Sequence, residues 1–84
     1  MQITAVYTAQ LRQHTGCAEE VLDLPDQATL ADAFAAISTA HPGSAPFLRR
    51  PAAVVFVDGE QAEDDAVCLR PQGEILFLAP ISGG

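Results

Sequence analysis

The sequence is poor in positive charge. It contains no lysine, and four arginines face eleven aspartates and glutamates, so the formal net charge is −7 at pH 7. Phosphate backbones and anionic lipid surfaces repel such a chain, which argues against nucleic acid and membrane partners. Two interpretations remain open: the charge matches a basic patch on a protein partner, or it only keeps the domain in solution.

Cysteine and long hydrophobic runs are also scarce. Cys17 and Cys68 lie far apart and form no C-x-x-C pair, so the sequence predicts no disulfide framework and favours a reducing, cytoplasmic location. No apolar run approaches the roughly 20 residues that a membrane span needs. Residues 1–4 lack the basic and apolar regions of a signal peptide.

The chain has the size and composition of one small globular domain. It has 84 residues, of which 49% are hydrophobic and 18% charged, a balance that argues against disorder. A chain of this length buries only roughly 60–65% of the surface that it exposes when unfolded. We therefore expect a single domain over residues 1–84 with one modest core.

Strand-like stretches occur at both ends of the chain. Residues 2–8 and 18–24 predict two antiparallel strands, and the polar stretch 10–16 between them predicts a hairpin connection in which Gly16 takes a positive φ. Later strands are predicted at 53–57, near Gln61-Ala62 as a short edge strand, and at 74–79. A tight turn is expected at Asp58-Gly59.

The middle of the chain predicts one main helix. Thr29 is a good N-cap and Asp32 its reciprocal acidic partner three residues on. An apolar stripe at helical spacing follows, made of Leu30, Ala33, Phe34 and Ile37. His41-Pro42-Gly43 predicts the helix end, and residues 41–51 read as a loop.

This order of elements predicts an α+β fold of the β-grasp (ubiquitin-like) type. One helix would cross a mixed sheet of four to five strands. Because the last strand is rich in apolar residues, we expect it at the centre of the sheet, from which residues 81–84 would project as a tail. Alternation places Ile75 and Phe77 on one face of this strand and Leu76 and Leu78 on the other.

The candidate metal ligands are spread along the sequence. His14 and Cys17 form one close pair, whereas His41 and Cys68 stand alone in other segments. The paired spacing of a zinc site is missing, so we predict no metal site. The run Glu63-Asp64-Asp65 lacks the ligand spacing of a calcium loop and reads as a solvated acidic turn.

The sequence also shows no pattern of side-chain catalysis. It has no Gly-x-Ser-x-Gly, no phosphate-binding loop with lysine, and no evident Cys–His pair with an orienting carboxylate. We therefore expect no enzyme that acts alone. The chemically distinct group that remains is the α-carboxylate of Gly84, which Gly83 makes slim and accessible. An ordinary flexible end is the alternative interpretation.

Two stretches carry a resemblance to a known family. "VYTAQLRQHTG" at 6–16 and "LAPISGG" at 78–84 resemble the MoaD/ThiS family of sulfur carriers, most of all its members that are small subunits of molybdopterin synthase. The resemblance covers nearly the whole chain. Ala79 and Ile81 depart from the family's usual proline and valine in the tail, and Thr8 stands where an aromatic residue is common.

The resemblance implies a chemical cycle for the tail. An E1-like adenylating enzyme of the MoeB/ThiF type would adenylate Gly84 with ATP and magnesium, and a sulfur relay would convert it to a thiocarboxylate. The charged carrier would then dock on the large subunit of molybdopterin synthase (MoaE type). Residues Ile81, Ser82 and Gly83 would insert with Gly84 into these enzymes.

Partner binding is expected on the sheet face that the helix leaves open. Tyr7, Leu78 and Pro80 are the candidate contacts, with Ile81 as a further anchor. The alternative is that these side chains form a second core layer.

Three classes of function stay open: sulfur transfer to molybdopterin, the same chemistry for another acceptor in thiamine, amino-acid or specialised-metabolite pathways, or a ubiquitin-like modifier or binding module.

Overall fold

The computed structural model of the protein describes residues 1–48 and 54–78. The elements in this part of the chain are, in order, β1 (Gln2–Tyr7), α1 (Ala9–Thr15), β2 (Glu19–Asp23), α2 (Leu30–Ala40), a 3-10 helix (Pro42–Phe47), β3 (Val54–Val57), β4 (Glu60–Ala62) and β5 (Glu74–Leu78). None of the helices in these ranges has the length and apolar character to cross a membrane.

The strands form one mixed sheet in the order β2-β1-β5-β3-β4. β1 and β5 pair in parallel, and the other three pairs are antiparallel. The central place of β5 is confirmed, as is the predicted β-grasp class with α2 packed on the sheet. The predicted edge strand near Gln61-Ala62 is β4.

The connection between β1 and β2 differs from the prediction. Part of the stretch 10–16 forms α1, not an irregular hairpin connection. Leu11 is buried in the core, and the helix ends at Gly16, whose φ is 77° and whose N–H donates to the Arg12 carbonyl at 2.9 Å. One buried leucine among polar residues gives no readable helical period, so tertiary packing decides this element.

The segment after α2 also has more order than predicted. Pro42–Phe47 is a 3-10 helix rather than a loop, and its first residue is a proline, which suits the start of a helix because its missing N–H needs no partner there. The Ser44 hydroxyl is buried and donates to the His41 carbonyl at 2.7 Å. Residues 49–51, predicted as part of this loop, lie outside the described residues.

The core lies between α2 and one face of the sheet. The predicted stripe of α2 is confirmed for Leu30, Ala33 and Ile37, which are fully buried, and Phe34 packs against them partly buried. Burial of a large aliphatic side chain contributes about 1.5–3 kcal/mol. From the sheet, the buried side chains are Ile3, Ala5, Tyr7, Leu22, Val55, Val57, Ala62, Ile75 and Phe77.

Two local features predicted from the sequence fix where α2 begins and where the chain turns from β3 into β4. Asp58 and Gly59 both have positive φ, 50° and 87°, as a two-residue type I′ turn between β3 and β4 requires. Thr29 and Asp32 form a capping box: Oδ2 of Asp32 accepts from the Thr29 N–H at 2.8 Å, and Oγ1 of Thr29 accepts from the Asp32 N–H at 3.4 Å.

The capping box gives a direct test of the energetics of α2. Thr29→Ala removes the hydroxyl acceptor, and we expect it to lower the free energy of unfolding by about 1 kcal/mol in urea titrations. Thr39→Ala is the matched control, because Thr39 is exposed near the other end of α2 and its hydroxyl only donates to the Ala35 carbonyl. Equal losses in the two variants would contradict a capping role for Thr29.

Candidate functional site

The chain reaches residue 78 at the middle of the sheet. β5 is hydrogen-bonded to β1 on one side and to β3 on the other, and its last residue, Leu78, pairs with Val54. The Thr8 hydroxyl donates to the Phe77 carbonyl at 2.7 Å. Whatever follows Leu78 is therefore attached to a strand that is held on both sides.

The residues predicted to carry the chemistry come directly after this point. Pro80, Ile81, Ser82, Gly83 and Gly84 all lie outside the described residues. Their roles in tail insertion, partner binding and sulfur transfer stay predictions. The described part of the site is the sheet face and the strand end from which they continue.

The predicted alternation along β5 is confirmed. Ile75 and Phe77 are 0% and 1% exposed on the α2 side, whereas Leu78 is 37% exposed on the opposite face. On that opposite face, apolar side chains of the three central strands form a surface that we call the open-face patch, consisting of Val6, Val54, Phe56, Leu76 and Leu78.

The register makes the open-face patch continuous. Leu76 pairs with Val6 on one side and with Phe56 on the other, so three apolar side chains form a row across the sheet. These three are half-buried, not enclosed in a second core layer. The row is extended by Leu78 at the end of the strand that leads to residues 79–84, and such a surface suits protein binding.

The residues that pair with the open-face patch from the two edge strands are polar or acidic, whereas Val21 of β2 is an exposed apolar side chain on the same face. Glu19 pairs with Val6, and Gln61 pairs with Phe56. Glu74, two residues before Leu76 on the same face of β5, is exposed. An apolar centre with acidic neighbours is complementary to a partner with an apolar centre and a basic rim.

Tyr7 does not belong to this surface, contrary to the prediction. Its side chain is 2% exposed, lies on the α2 side of β1, and packs on Phe77 with 5.7 Å between ring centroids. The period of two along β1 explains the error, because Tyr7 is in phase with the buried Ile3 and Ala5. On β1, the apolar side chain on the open face is Val6 instead.

A family model described as the ThiS family matches residues 5–84. The chain belongs to the ThiS family. Curated relatives match along the whole chain as well. The molybdopterin synthase sulfur carrier subunit of Chlamydomonas reinhardtii is 31% identical, covering 100% of both chains. That of Homo sapiens is 29% identical over 83 residues, covering 99% of this chain and 94% of the human one.

Solved structures show the same fold. SAMP1 from Haloferax volcanii superposes with a TM-score of 0.88 at 23% identity, covering 100% of both chains. A chain of the BexX/CysO complex of Amycolatopsis orientalis gives a TM-score of 0.73 at 20% identity, covering 98% of this chain and 99% of the other. At these identities the likeness carries the β-grasp fold and nothing more specific.

This ThiS-family chain also has a polar cluster on the α2 side of the sheet, which the sequence analysis does not predict. The Tyr7 hydroxyl donates to Oε1 of Glu20 at 2.5 Å, and Nε2 of His41 lies 2.8 Å from the same oxygen. Cys17 has its Sγ within 4.8 Å of ligand atoms of Glu20 and His41. Burial, and then the bond to Glu20, raise the pKa of Tyr7 far above its ordinary value, so the phenol stays protonated as a donor.

The fold thus brings together a cysteine, a histidine and a carboxylate that lie up to 24 residues apart in the sequence. Cys68 is exposed and lies outside this cluster, and so does His14. One signal in the sequence did point to Glu20: it is in phase with Leu22, which is buried on the helix side of β2. Nothing in the spacing indicated that His41 would meet it.

The buried bonds of Glu20 predict a clear stability difference between two adjacent glutamates. Glu20→Ala leaves the buried Tyr7 hydroxyl without its acceptor, and we expect a loss of about 1–3 kcal/mol in the free energy of unfolding. Glu19→Ala, on the exposed face of the same strand, should change it by at most about 0.5 kcal/mol. Chemical denaturation of both variants measures the difference.

A double-mutant cycle identifies the origin of that loss. Tyr7→Phe should cost less in the Glu20→Ala background than in the wild-type chain, by about 1 kcal/mol. Additive losses would mean that the hydroxyl–carboxylate bond contributes nothing.

Proposed function

We propose that this chain, a sulfur carrier of the MoaD/ThiS type, is the small subunit of a molybdopterin synthase and carries sulfur as a thiocarboxylate on Gly84. The observation that carries the proposal is the end-to-end match to molybdopterin synthase sulfur carrier subunits at 29% and 31% identity. The central position of β5 supports it, because residues 79–84 continue from a fixed strand.

The proposed chemistry begins with activation of the Gly84 carboxylate. A free carboxylate repels nucleophiles, so an E1-like enzyme of the MoeB/ThiF type first joins it to the phosphate of AMP, using ATP and magnesium and releasing pyrophosphate. A sulfur nucleophile from a persulfide donor then displaces AMP. The product is an acyl disulfide with the donor, and a second thiol reduces it by forming a disulfide with the donor sulfur and releasing the thiocarboxylate. The sulfur of the thiocarboxylate is then transferred in the large subunit (MoaE type) to a pterin precursor.

The geometry of the chain limits where the partner active sites lie. Six residues follow Leu78, and fully extended they span at most about 20 Å. A partner that binds Gly84 in its active site must therefore contact the domain near the end of β5. The open-face patch is the apolar surface that adjoins this strand end, and the acidic charge of the chain favours a basic partner surface around it.

The glycines fit the need for a narrow tail. Gly83 and Gly84 have no Cβ, so their backbone can enter a channel too narrow for other residues and can adopt φ values that other residues avoid. In this proposal Ile81 and Ser82 form the stem of the tail, and Leu78 and Pro80 lie against the partner at its base.

The same carrier chemistry would serve another sulfur acceptor equally well, and one observation favours keeping this alternative. The family model that matches residues 5–84 is that of the ThiS family and names no particular sulfur acceptor. Transfer assays separate the two: sulfur from the charged carrier should reach the pterin precursor when a MoaE-type large subunit is present.

Intact mass spectrometry tests the proposed charging step. After incubation with a MoeB-type enzyme, ATP, magnesium and a sulfur donor, we expect the mass gain of one oxygen replaced by sulfur, located at Gly84 by fragmentation. Deletion of Gly84 should abolish the gain and leave the melting temperature unchanged. The double variant Cys17→Ser/Cys68→Ser should still be charged, and failure of that variant alone would indicate a side-chain thiol mechanism instead.

A charge placed on the open-face patch tests the docking surface. Leu78→Glu should weaken binding to the activating enzyme at least about tenfold, because a carboxylate would be buried in an apolar interface. Thr39→Glu is the matched control, since it adds the same charge at an exposed position of α2, which packs on the opposite face. Calorimetric titration of both variants provides the comparison, and equal affinities would contradict docking through this face.

A further inference from the structure

Three potential metal ligands from three separate segments lie close together on the α2 side of the sheet. Cys17 follows α1, Glu20 lies in β2, and His41 follows α2. One ligand atom of each lies within 4.8 Å of the other two, and all three side chains are partly buried. Within residues 1–48 and 54–78, no other group of three histidine, cysteine or acidic side chains is placed in this way. We call these residues the Cys–Glu–His cluster.

We propose that the Cys–Glu–His cluster is a binding site for a zinc ion. Zinc accepts thiolate sulfur, imidazole nitrogen and carboxylate oxygen together, whereas magnesium and calcium favour oxygen alone. Three protein ligands leave a fourth tetrahedral position for water or another donor. This site is separate from the sulfur chemistry proposed for Gly84, and its tests do not depend on that chemistry.

The distances are close to those that a tetrahedral ion requires. With metal–ligand bonds of about 2.0–2.3 Å, two ligand atoms lie about 3.3–3.7 Å apart. Nε2 of His41 and Oε1 of Glu20 are 2.8 Å apart, so an ion would replace their hydrogen bond and separate the two atoms by roughly 0.5 Å. The sulfur of Cys17, at most 4.8 Å from its partners, needs to move inward by up to about 1 Å.

The backbone around the cluster is already fixed. The Thr15 hydroxyl donates to the Cys17 carbonyl at 3.1 Å, and the His41 N–H donates to the Ile37 carbonyl at 2.8 Å. Only side chains must therefore adjust, which lowers the entropic cost of binding an ion.

A buried donor also holds the carboxylate in place. The Tyr7 hydroxyl, inside the core, donates to Oε1 of Glu20 at 2.5 Å. Hydrogen bonds of this kind orient the carboxylate ligands of metal sites, and they commonly come from residues that do not themselves bind the metal. The cluster thus has a ligand set and a support for one of its members, contributed by a different strand.

The chain provides matched controls, because it has only two cysteines and two histidines, and one of each lies in the cluster. Zinc titration of the metal-free chain, followed by calorimetry and by elemental analysis after desalting, should show one ion per chain. Cys17→Ser and His41→Gln should each reduce affinity about tenfold or more. Cys68→Ser and His14→Gln should retain wild-type affinity.

Two further measurements keep the proposal testable if a cluster variant folds poorly. In the wild-type chain, zinc should slow alkylation of Cys17 by iodoacetamide and leave the rate at the exposed Cys68 unchanged, as read by peptide mass spectrometry. Saturating zinc should also raise the melting temperature by roughly 5 °C or more.

Three results would overturn the proposal. They are the absence of stoichiometric binding, equal loss of binding in the cluster variants and their controls, and equal protection of both thiols from alkylation.

Discussion

The pairing of β5 between β1 and β3 is the constraint on which the rest of the structure depends. It places the last described strand in the middle of the sheet, so the buried Ile75 and Phe77 fill the centre of the core. It also makes the open-face patch continuous, since Leu76 joins Val6 to Phe56. Without this strand the sheet would separate into two hairpins, and a two-stranded hairpin is at best marginally stable alone.

Much of this arrangement could be predicted from the sequence because its signals are local and repeated. The capping box of Thr29 and Asp32, the stripe of α2 and the turn at Asp58-Gly59 each depend on residues within a few positions of each other. The apolar composition of residues 75–78 was enough to place their strand at the centre. The resemblance to the family added the expected role of the tail.

The errors occurred where tertiary packing outweighs local pattern. α1 is fixed by one buried side chain, Leu11, and by its packing against the 3-10 helix. Neither contact produces a periodic pattern of apolar residues in the sequence. Tyr7 is the exception, because its phase with Ile3 and Ala5 along β1 places it on the buried face. The Cys–Glu–His cluster joins residues up to 24 positions apart, since Cys17 and His41 meet only when α2 returns to the side of β2.

The parallel pairing of β1 with β5 also has a consequence for the order of folding during synthesis. β1 leaves the ribosome first, yet its parallel neighbour is the last strand of the sheet to be made. The pairing of residues 4–7 with β5 must therefore wait until about 70 further residues have been translated, which makes this closure non-local and slow. A nascent chain that stops before β5 lacks the central strand of its sheet, so truncated products would expose unfinished strand edges to proteases and chaperones.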